Sequence, residues 1–315
     1  MIKIVRKIFS RLFFFELDRR CENSVFLAGF GRSGTTWISD IINYKNEYRY
    51  IFEPFHPYRV RLVRDFQYIQ YLRPENRDPR YLTPARAVLS GRIRNRWTDA
   101  HNRKIFARKR LIKDIRAQFL LKWIHNNFPG MPIVLLFRHP CAAAHSWLKL
   151  GWGKEDLGER TDMEVCLSQK ELIEDFLGPF KENIENARSE FEQQVFHWCM
   201  QYYVPLKQFK RGEIHLCFYE SFCENPHKEI QKLFSFLGKK FDEKVLCKLR
   251  TPSSLTRKDS AIIKGTSLID SWREHVSVQD LESALKILNL FGLEKIYSGD
   301  SMPNPAAAYE LLTYK

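Results

Sequence analysis

The turn Gly29-Phe30-Gly31-Arg32-Ser33-Gly34-Thr35-Thr36 is the stretch best suited to chemistry. It follows an apolar run, Ser24 to Ala28, and precedes Trp37, Ile38, Ile41 and Ile42 at helical spacing. Glycines let backbone N–H groups turn inward, and a helix N-terminus adds partial positive charge, so this strand–turn–helix is an anion cradle. A second site of the same kind follows the run Ile133 to Phe137, where the chain reads Arg138-His139-Pro140 and continues to Ser146. Pro140 suits a helix start, which places Ser146 about two turns into that helix. Arg138 and Ser146 are placed to clamp a second phosphate, with charge-assisted bonds of about 1.5–3 kcal/mol each. A purely structural salt bridge at Arg138 is the competing account.

Gly29, Gly34 and Thr36 match the nucleotide phosphate loop G-x-x-x-x-G-K-[ST], but Thr35 stands where the lysine belongs. The loop's cation is instead Arg32. The second strand ends in Phe137-Arg138 and lacks the aspartate that would hold Mg²⁺. The expected ligand is therefore a nucleotide with a 5′ anionic group, bound without a γ-phosphate or an obligatory metal.

The elements that must position these groups alternate. Strands are expected at 24–28, 133–137 and 214–218. Helices are expected after the first turn, over 117–127, from Pro140, over 190–209, from Pro226 to Leu237 and over 278–291. Continuous apolar strands alternating with helices indicate an α/β, P-loop-containing fold with a central parallel sheet and helices on both faces. No linker or repeat divides the chain. The expected organisation is a basic amphipathic helix over 1–20, one domain over 24–297 and a tail over 298–315. An irregular basic insertion, 59–110, is expected on the acceptor side.

The 315 residues are 44% apolar and 14% aromatic, enough for a sizeable core, and 28% charged, which excludes a disordered chain. No apolar run reaches the 18 residues of a membrane span. The net charge is +14, and from Arg59 to Arg116 there are 17 Lys/Arg against 5 Asp/Glu. Such a density implies an anionic partner or a solvated basic surface. Residues 3–17 place Ile4, Ile8, Leu12 and Phe15 at helical spacing among Lys3, Arg6, Lys7 and Arg11. That pattern fits a helix packed on the domain or one lying peripherally on a membrane. No signal-peptide core is present, so a cytoplasmic location is expected, with the seven cysteines reduced.

Two phosphate sites on one parallel sheet, one of them a lysine-less loop, form a specific combination. Here the sequence resembles the sulfotransferases that use 3′-phosphoadenosine 5′-phosphosulfate (PAPS). The matches are GRSGTTW at 31–37, FRHP with Ser146, CFYESFCENPHKEIQKLFSFLG at 217–238 and KGTSLIDSWREHVS at 264–277. The resemblance implies transfer of SO₃ from PAPS to an acceptor hydroxyl or amine. It assigns Ser33, Gly34, Thr35, Thr36 and Trp37 to the 5′ side of the nucleotide and Arg138 and Ser146 to the 3′-phosphate. Lys264 and Gly265 would close over that phosphate, Tyr219 would lie near the nucleotide, and Arg32 would neutralise the leaving oxygen. No metal is implied. Arg32 stands where small-molecule cytosolic members carry Lys, and Arg is more typical of members acting on glycans or protein tyrosine.

Transfer also needs a proton acceptor. Glu53, in Phe52-Glu53-Pro54, resembles the F-E-P segment of glycan-type members. It is expected at the carboxyl end of a strand beside the loop, with its pKa raised by bound PAPS. It is equally suited to pairing with Arg32 or another arginine. His56 is the alternative base. Asp114 is expected to pair with Lys113 or Arg116, and His139 to face the helix start. Tyr58, Phe66, Tyr68, Tyr71, Tyr81 and Trp97, interleaved with the cations, suggest a carbohydrate or glycolipid acceptor. The competing readings are a P-loop nucleotide kinase, a sulfotransferase acting on a small molecule or on protein tyrosine, and a nucleic-acid-binding protein. The last has no accompanying recognition motif.

Overall fold

Five parallel strands form the centre of the molecule: β1 (Ser24–Gly29), β2 (Tyr48–Phe52), β3 (Lys109–Asp114), β4 (Ile133–Phe137) and β5 (His215–Phe218). The structure is a computed structural model and describes residues 14–150, 160–249 and 267–313. The strand order is β2-β3-β1-β4-β5, and every neighbouring pair is parallel. Helices α1 (Thr35–Ile42), α2 (Pro79–Leu89), α3 (Leu121–Asn127), α4 (Pro140–Leu148), α5 (Glu190–Gln208), α6 (Pro226–Phe236) and α7 (Val278–Leu290) surround it. Alternate residues of β1 divide between the two faces. Phe26 and Ala28 pack in a cluster with Trp198 and Tyr202 of α5, while Val25 and Leu27 pack with Ile38 of α1 and Leu233 of α6.

The parallel α/β architecture expected from the apolar runs is present, with ends shifted by a few residues. β3 was not among the expected strands. Its sequence, KRLIKD, carries charges at Arg110, Lys113 and Asp114, all of them buried. Ion pairing rather than hydrophobicity admits this strand to the interior, so no apolar run marks it.

The stretch 59–110 is also more regular than its composition suggests. It contains α2, begun by Asp78, whose side chain accepts from Arg80 N, and by Pro79 at the first turn. Beyond α2 the chain runs along β2, where Phe52 N donates to Thr98 O at 2.9 Å. The edge strand is thus covered. Residues 298–313 are packed rather than a free tail. They contain the short helix Pro305–Glu310, and Leu312 is buried.

The helix expected over 1–20 does not extend to its end. Residues 1–13 lie outside the described residues, but Phe15–Glu16 is extended and pairs in parallel with Phe106–Ala107. The cause is a buried ion-pair node at the amino-terminal edge of the sheet. Glu16 Oε1 accepts from Arg49 Nη1 at 2.9 Å, and Glu16 Oε2 lies 3.2 Å from Arg110 Nη1. Both arginines are fully buried, and Asp99 takes the other side of Arg49 at 2.8 Å. Phe14 is held between the guanidinium groups of Arg49 and Arg94, at 3.8 and 4.4 Å. A helix here would carry Glu16 away from two desolvated cations.

Truncating one member of such a node leaves uncompensated buried charge. Glu16→Ala is expected to lower the unfolding free energy by about 3–5 kcal/mol in urea titrations. A loss below about 1 kcal/mol would show that the node contributes little.

Candidate active site

Among the described residues, the candidate residues follow the carboxyl ends of the strands, where ligands bind in open parallel folds. The turn after β1 contains two residues with left-handed backbone, Arg32 at φ 73° and Gly34 at φ 92°. Gly34 is needed twice over. Its φ disfavours a side chain, and a Cβ there would stand 2.7 Å from the Tyr219 ring. Gly31 is needed because a Cβ would overlap the Trp147 ring.

Four side chains hold the turn. Tyr202 Oη accepts from Phe30 N at 3.0 Å and donates to Leu136 O at 2.6 Å. Arg138 Nη1 donates to the Arg32 carbonyl at 2.8 Å, and its guanidinium lies over the Tyr219 ring at 4.6 Å. Arg32 Nε donates to Ser146 Oγ at 3.0 Å. Trp198 Nε1 donates to Arg138 O at 3.1 Å, tying the cluster to α5. The N–H groups of the first turn of α1, starting at Thr35, have no intrahelical acceptors.

The structure therefore brings Arg32, Ser33, Gly34, Thr35, Thr36, Trp37, Arg138, Ser146 and Tyr219 into one cluster. Trp37 packs edge-on to Tyr219 with ring centroids 5.5 Å apart. Trp37 Nε1 and Arg138 Nε are buried donors with no acceptor in the protein, as expected of groups that meet an anionic aromatic ligand. Lys264 and Gly265 lie outside the described residues. Among the described residues, no group of three or more His, Cys, Asp or Glu side chains could hold a metal.

Glu53 follows β2, two strands away from β1, which is about 10 Å across the sheet. Its φ is 43° and it is buried. Neither candidate partner named from sequence is the whole answer. Lys113 Nζ donates to Oε1 at 2.5 Å and Arg116 Nη1 to Oε2 at 2.7 Å. Burial pushes the Glu53 carboxyl up, but Lys113 and then Arg116 outweigh it and hold the group below its ordinary value. The expected upward shift is thus reversed in the protein alone.

Asp114 was expected to pair with those cations and does not. Its Oδ2 accepts from Phe55 N at 3.0 Å and its Oδ1 from Arg116 N at 2.8 Å, joining the turns after β2 and β3. Burial, and then the negative charge of Glu53, push Asp114 up to about 6. His139 caps α4 as expected, its Nδ1 accepting from Cys141 N at 3.3 Å, and burial lowers its pKa to about 3. His56 is buried, packed edge-on to Tyr68 and Trp97 at 5.3 and 5.5 Å.

Of the aromatics expected on an acceptor surface, Phe66, Tyr68 and Tyr71 are core residues. Tyr58 is exposed and stacked on Tyr68, and half-buried Trp97 donates Nε1 to Glu53 O at 3.3 Å. The sequence reading missed a polar stripe on α5 formed by Gln194, His197 and Gln201. Their spacing alone could have flagged it, since polar residues at i, i+3 and i+7 share one face of an otherwise apolar helix. His197 packs against Phe30 at 5.1 Å and approaches Asp162 through Nδ1 at 3.5 Å. Gln201 Nε2 lies 2.6 Å from His197 Nε2, so the imidazole proton is assigned to Nδ1, facing Asp162. Gln194 Oε1, Gln201 Oε1, Asp162 Oδ1 and both amide atoms of Gln118 are buried without a protein partner.

The family model described as Sulfotransferase domain matches residues 22–281. Among solved structures, the chain is similar to the sulfotransferase domain of the Synechococcus PCC 7002 olefin synthase. That match has 14% identity over 89% of this chain and 98% of that one, with a TM-score of 0.47. A mouse sulfotransferase complexed with PAP is similar at 13% identity, over 91% and 87% of the two chains, with a TM-score of 0.45. Retinol dehydratase complexed with androsterone and inactive cofactor PAP matches at 17% identity, over 96% and 88%, with a TM-score of 0.44. No curated protein matches the sequence.

The two neighbouring carboxylates are driven apart in acidity, and a carboxyl-carbon NMR titration reads this directly. Asp114 is expected to titrate near pH 6, and Glu53 to stay ionised below 4.5. The folded state holds the Asp114 proton more tightly than the unfolded chain does. Its contribution to stability is therefore complete below about 3.8 and is lost as pH rises through about 6. Glu53 acts in the opposite sense, its contribution being lost as pH falls through its lowered pKa. Titration of Glu53 at the higher pH would overturn this assignment.

Proposed function

The chain belongs to the sulfotransferase domain family, and from that premise we propose that it transfers the sulfuryl group of PAPS to a hydroxyl or amine of an anionic carbohydrate. One observation carries the cofactor reading. Arg32, Arg138, Ser146 and Tyr219 close on a phosphate turn in which Thr35 replaces the lysine that triphosphate loops require. The N–H groups of Gly34, Thr35 and Thr36 would hold the 5′-phosphate, with the hydroxyls of Ser33 and Thr36 beside it. Arg138 and Ser146 would take the 3′-phosphate, with Lys264 and Gly265 closing over it. Trp37 and Tyr219 would lie against the base.

In the reaction the bond between sulfur and the phosphate oxygen breaks as sulfur bonds to the acceptor oxygen or nitrogen. PAPS supplies the activated sulfuryl group. Arg32 would neutralise the leaving oxygen, and Glu53 would take the acceptor proton. Lys113 links these roles, because it lies on β3, between β1 and β2. An anionic phosphosulfate competes with Glu53 for Lys113. A carboxylate relieved of one cation is the stronger base. His56 is the second candidate.

The acceptor reading rests on what borders Glu53. Exposed Tyr58, and Trp97 under the Arg59 guanidinium at 5.7 Å, offer aromatic and cationic contact. The unpartnered amide of Gln118 and the unpartnered amide oxygens of Gln194 and Gln201 suit a hydroxyl-rich ring, since a buried polar atom left unmade costs about 1–3 kcal/mol. The domain is proposed to span 24–297, with 59–110 bordering the acceptor. Residues 3–17 are proposed as a peripheral membrane contact of a cytoplasmic protein. Among the described residues, no helix is long and apolar enough to cross a membrane.

PAP is expected to raise the melting temperature without Mg²⁺, by about 2.7 kcal/mol of linkage at one hundred times Kd. Stabilisation by ATP–Mg²⁺ and not by PAP would defeat the cofactor reading. Arg138→Ala should weaken PAP binding, while Glu53→Gln should slow transfer by about 10²–10⁴-fold with PAP binding retained. Near-normal turnover in Glu53→Gln would move the base to His56. Gln201→Leu should raise the acceptor KM and leave PAP affinity unchanged. An unaltered KM across an acceptor panel would remove the amide stripe from acceptor binding.

A further inference from the structure

The amino-terminal edge of the sheet, opposite the candidate site, carries two features that the sulfuryl-transfer reading does not use. The first is apolar. Seven large hydrophobic side chains are exposed among the described residues, and three of them, Phe15, Leu17 and Phe106, belong to the short parallel ladder at this edge. They are 53%, 55% and 59% exposed. The Phe15 and Phe106 rings stack with centroids 5.3 Å apart, and Leu17 follows on the same face because strand side chains alternate. Glu16, between them, points inward to Arg49 and Arg110. The outward face is thus apolar by construction and fixed by a buried ion-pair node.

The second feature is basic. A surface cavity of about 260 Å³ is lined by Arg19, Arg20, Arg86 and Arg92 against one acidic residue, Glu22, together with Ser90. It opens at the start of β1, one turn of chain beyond the ladder. Arg103, Arg108 and Lys109, which flank Phe106 and Ala107 in sequence, are exposed. Among the acidic groups at this edge, Asp18 is bonded to Arg20, Glu16 and Asp99 are buried in ion pairs, and Glu22 is exposed. Glu47 is paired with Lys239 and lies near Lys109, and Asp40 lies near Arg103.

We propose that this edge is a docking face for an anionic phospholipid bilayer. Phe15, Leu17 and Phe106 enter the boundary between headgroups and acyl chains, and the flanking arginines meet the lipid phosphates. A soluble polyanion would engage the cations but gain nothing from three exposed apolar side chains. The pairing of the two features is what selects a membrane over a polymer. Docking by this edge turns the carboxyl edge outward. With strands of four to six residues, the transfer site stands up to about 20 Å from the lipid surface, within reach of an extended glycan.

The test is co-sedimentation of the full-length protein with vesicles of phosphatidylcholine alone and of phosphatidylcholine with an equal part of phosphatidylserine. The protein should bind the anionic vesicles, and less so as salt rises from about 0.1 to 1 M. Phe15→Ser/Leu17→Ser/Phe106→Ser should weaken vesicle binding about tenfold or more while leaving PAP affinity unchanged. In case that variant folds poorly, Arg103→Glu/Arg108→Glu keeps the apolar ladder and should lower binding to anionic vesicles only. Vesicle binding unaffected by both variants would overturn the proposal. So would binding to a sulfated polysaccharide without binding to either vesicle.

Discussion

The hydrogen bond from Arg138 to the Arg32 carbonyl is the constraint on which the candidate site depends. A non-glycine residue at φ 73° is uncommon and persists only when its surroundings over-determine it. Here Arg138 fixes the carbonyl of Arg32, and Ser146 fixes its side chain. Arg138 is fixed in turn by Trp198 through its own carbonyl and by the Tyr219 ring through its guanidinium. Four separate elements thus converge on one turn: the end of β4, α4, α5 and the residue after β5. Each contact also brings a cation or hydroxyl to the rim of the anion cradle. The bonds that strain the loop are therefore the bonds that assemble the ligand site.

Much of this was legible in the sequence, because the loop and its neighbours obey local rules. Gly29, Gly34 and Thr36 have spacing with a mechanical meaning, and β1 and β4 are unbroken apolar runs. What escaped is what depends on burial of charge. β3 reads as polar because Arg110 and Lys113 are ion-paired and Asp114 is bonded to backbone N–H groups inside the fold. The pairing of Glu53 required knowing that β3 lies beside β2, and so that Lys113 and Arg116 reach it before Arg32 does. The aromatics of 59–110 misled for the converse reason. Phe66, Tyr68 and Tyr71 lack periodicity in sequence yet pack in the core, since an irregular segment covering a sheet edge buries side chains without a repeat.

Lys113 and Arg116 hold the buried Glu53 carboxylate below its ordinary pKa, against the opposing effect of burial. Asp114 ties the turns after β2 and β3 together through the N–H groups of Phe55 and Arg116. Arg116 enters both sides of this arrangement, its N–H holding Asp114 and its guanidinium holding Glu53, so geometry and acidity are coupled there.

The distribution of the basic surplus separates two accounts that its magnitude leaves open. If the cations of 59–116 served to draw PAPS into the site, they would have to act at the carboxyl edge. Arg110, Lys113 and Arg116 are instead consumed by buried carboxylates. Arg86 and Arg92 line the cavity at the opposite edge, and Arg94 packs on Phe14 beside it. The strands between the edges span about 20 Å, more than twice the Debye length of about 8 Å at physiological ionic strength. Charges that far away are largely screened from a nucleotide at the phosphate loop. The cations at the amino edge can act only on something that touches that edge. Arg59, whose guanidinium lies over the Trp97 ring, stands instead beside Glu53, whose carbonyl accepts from Trp97 Nε1.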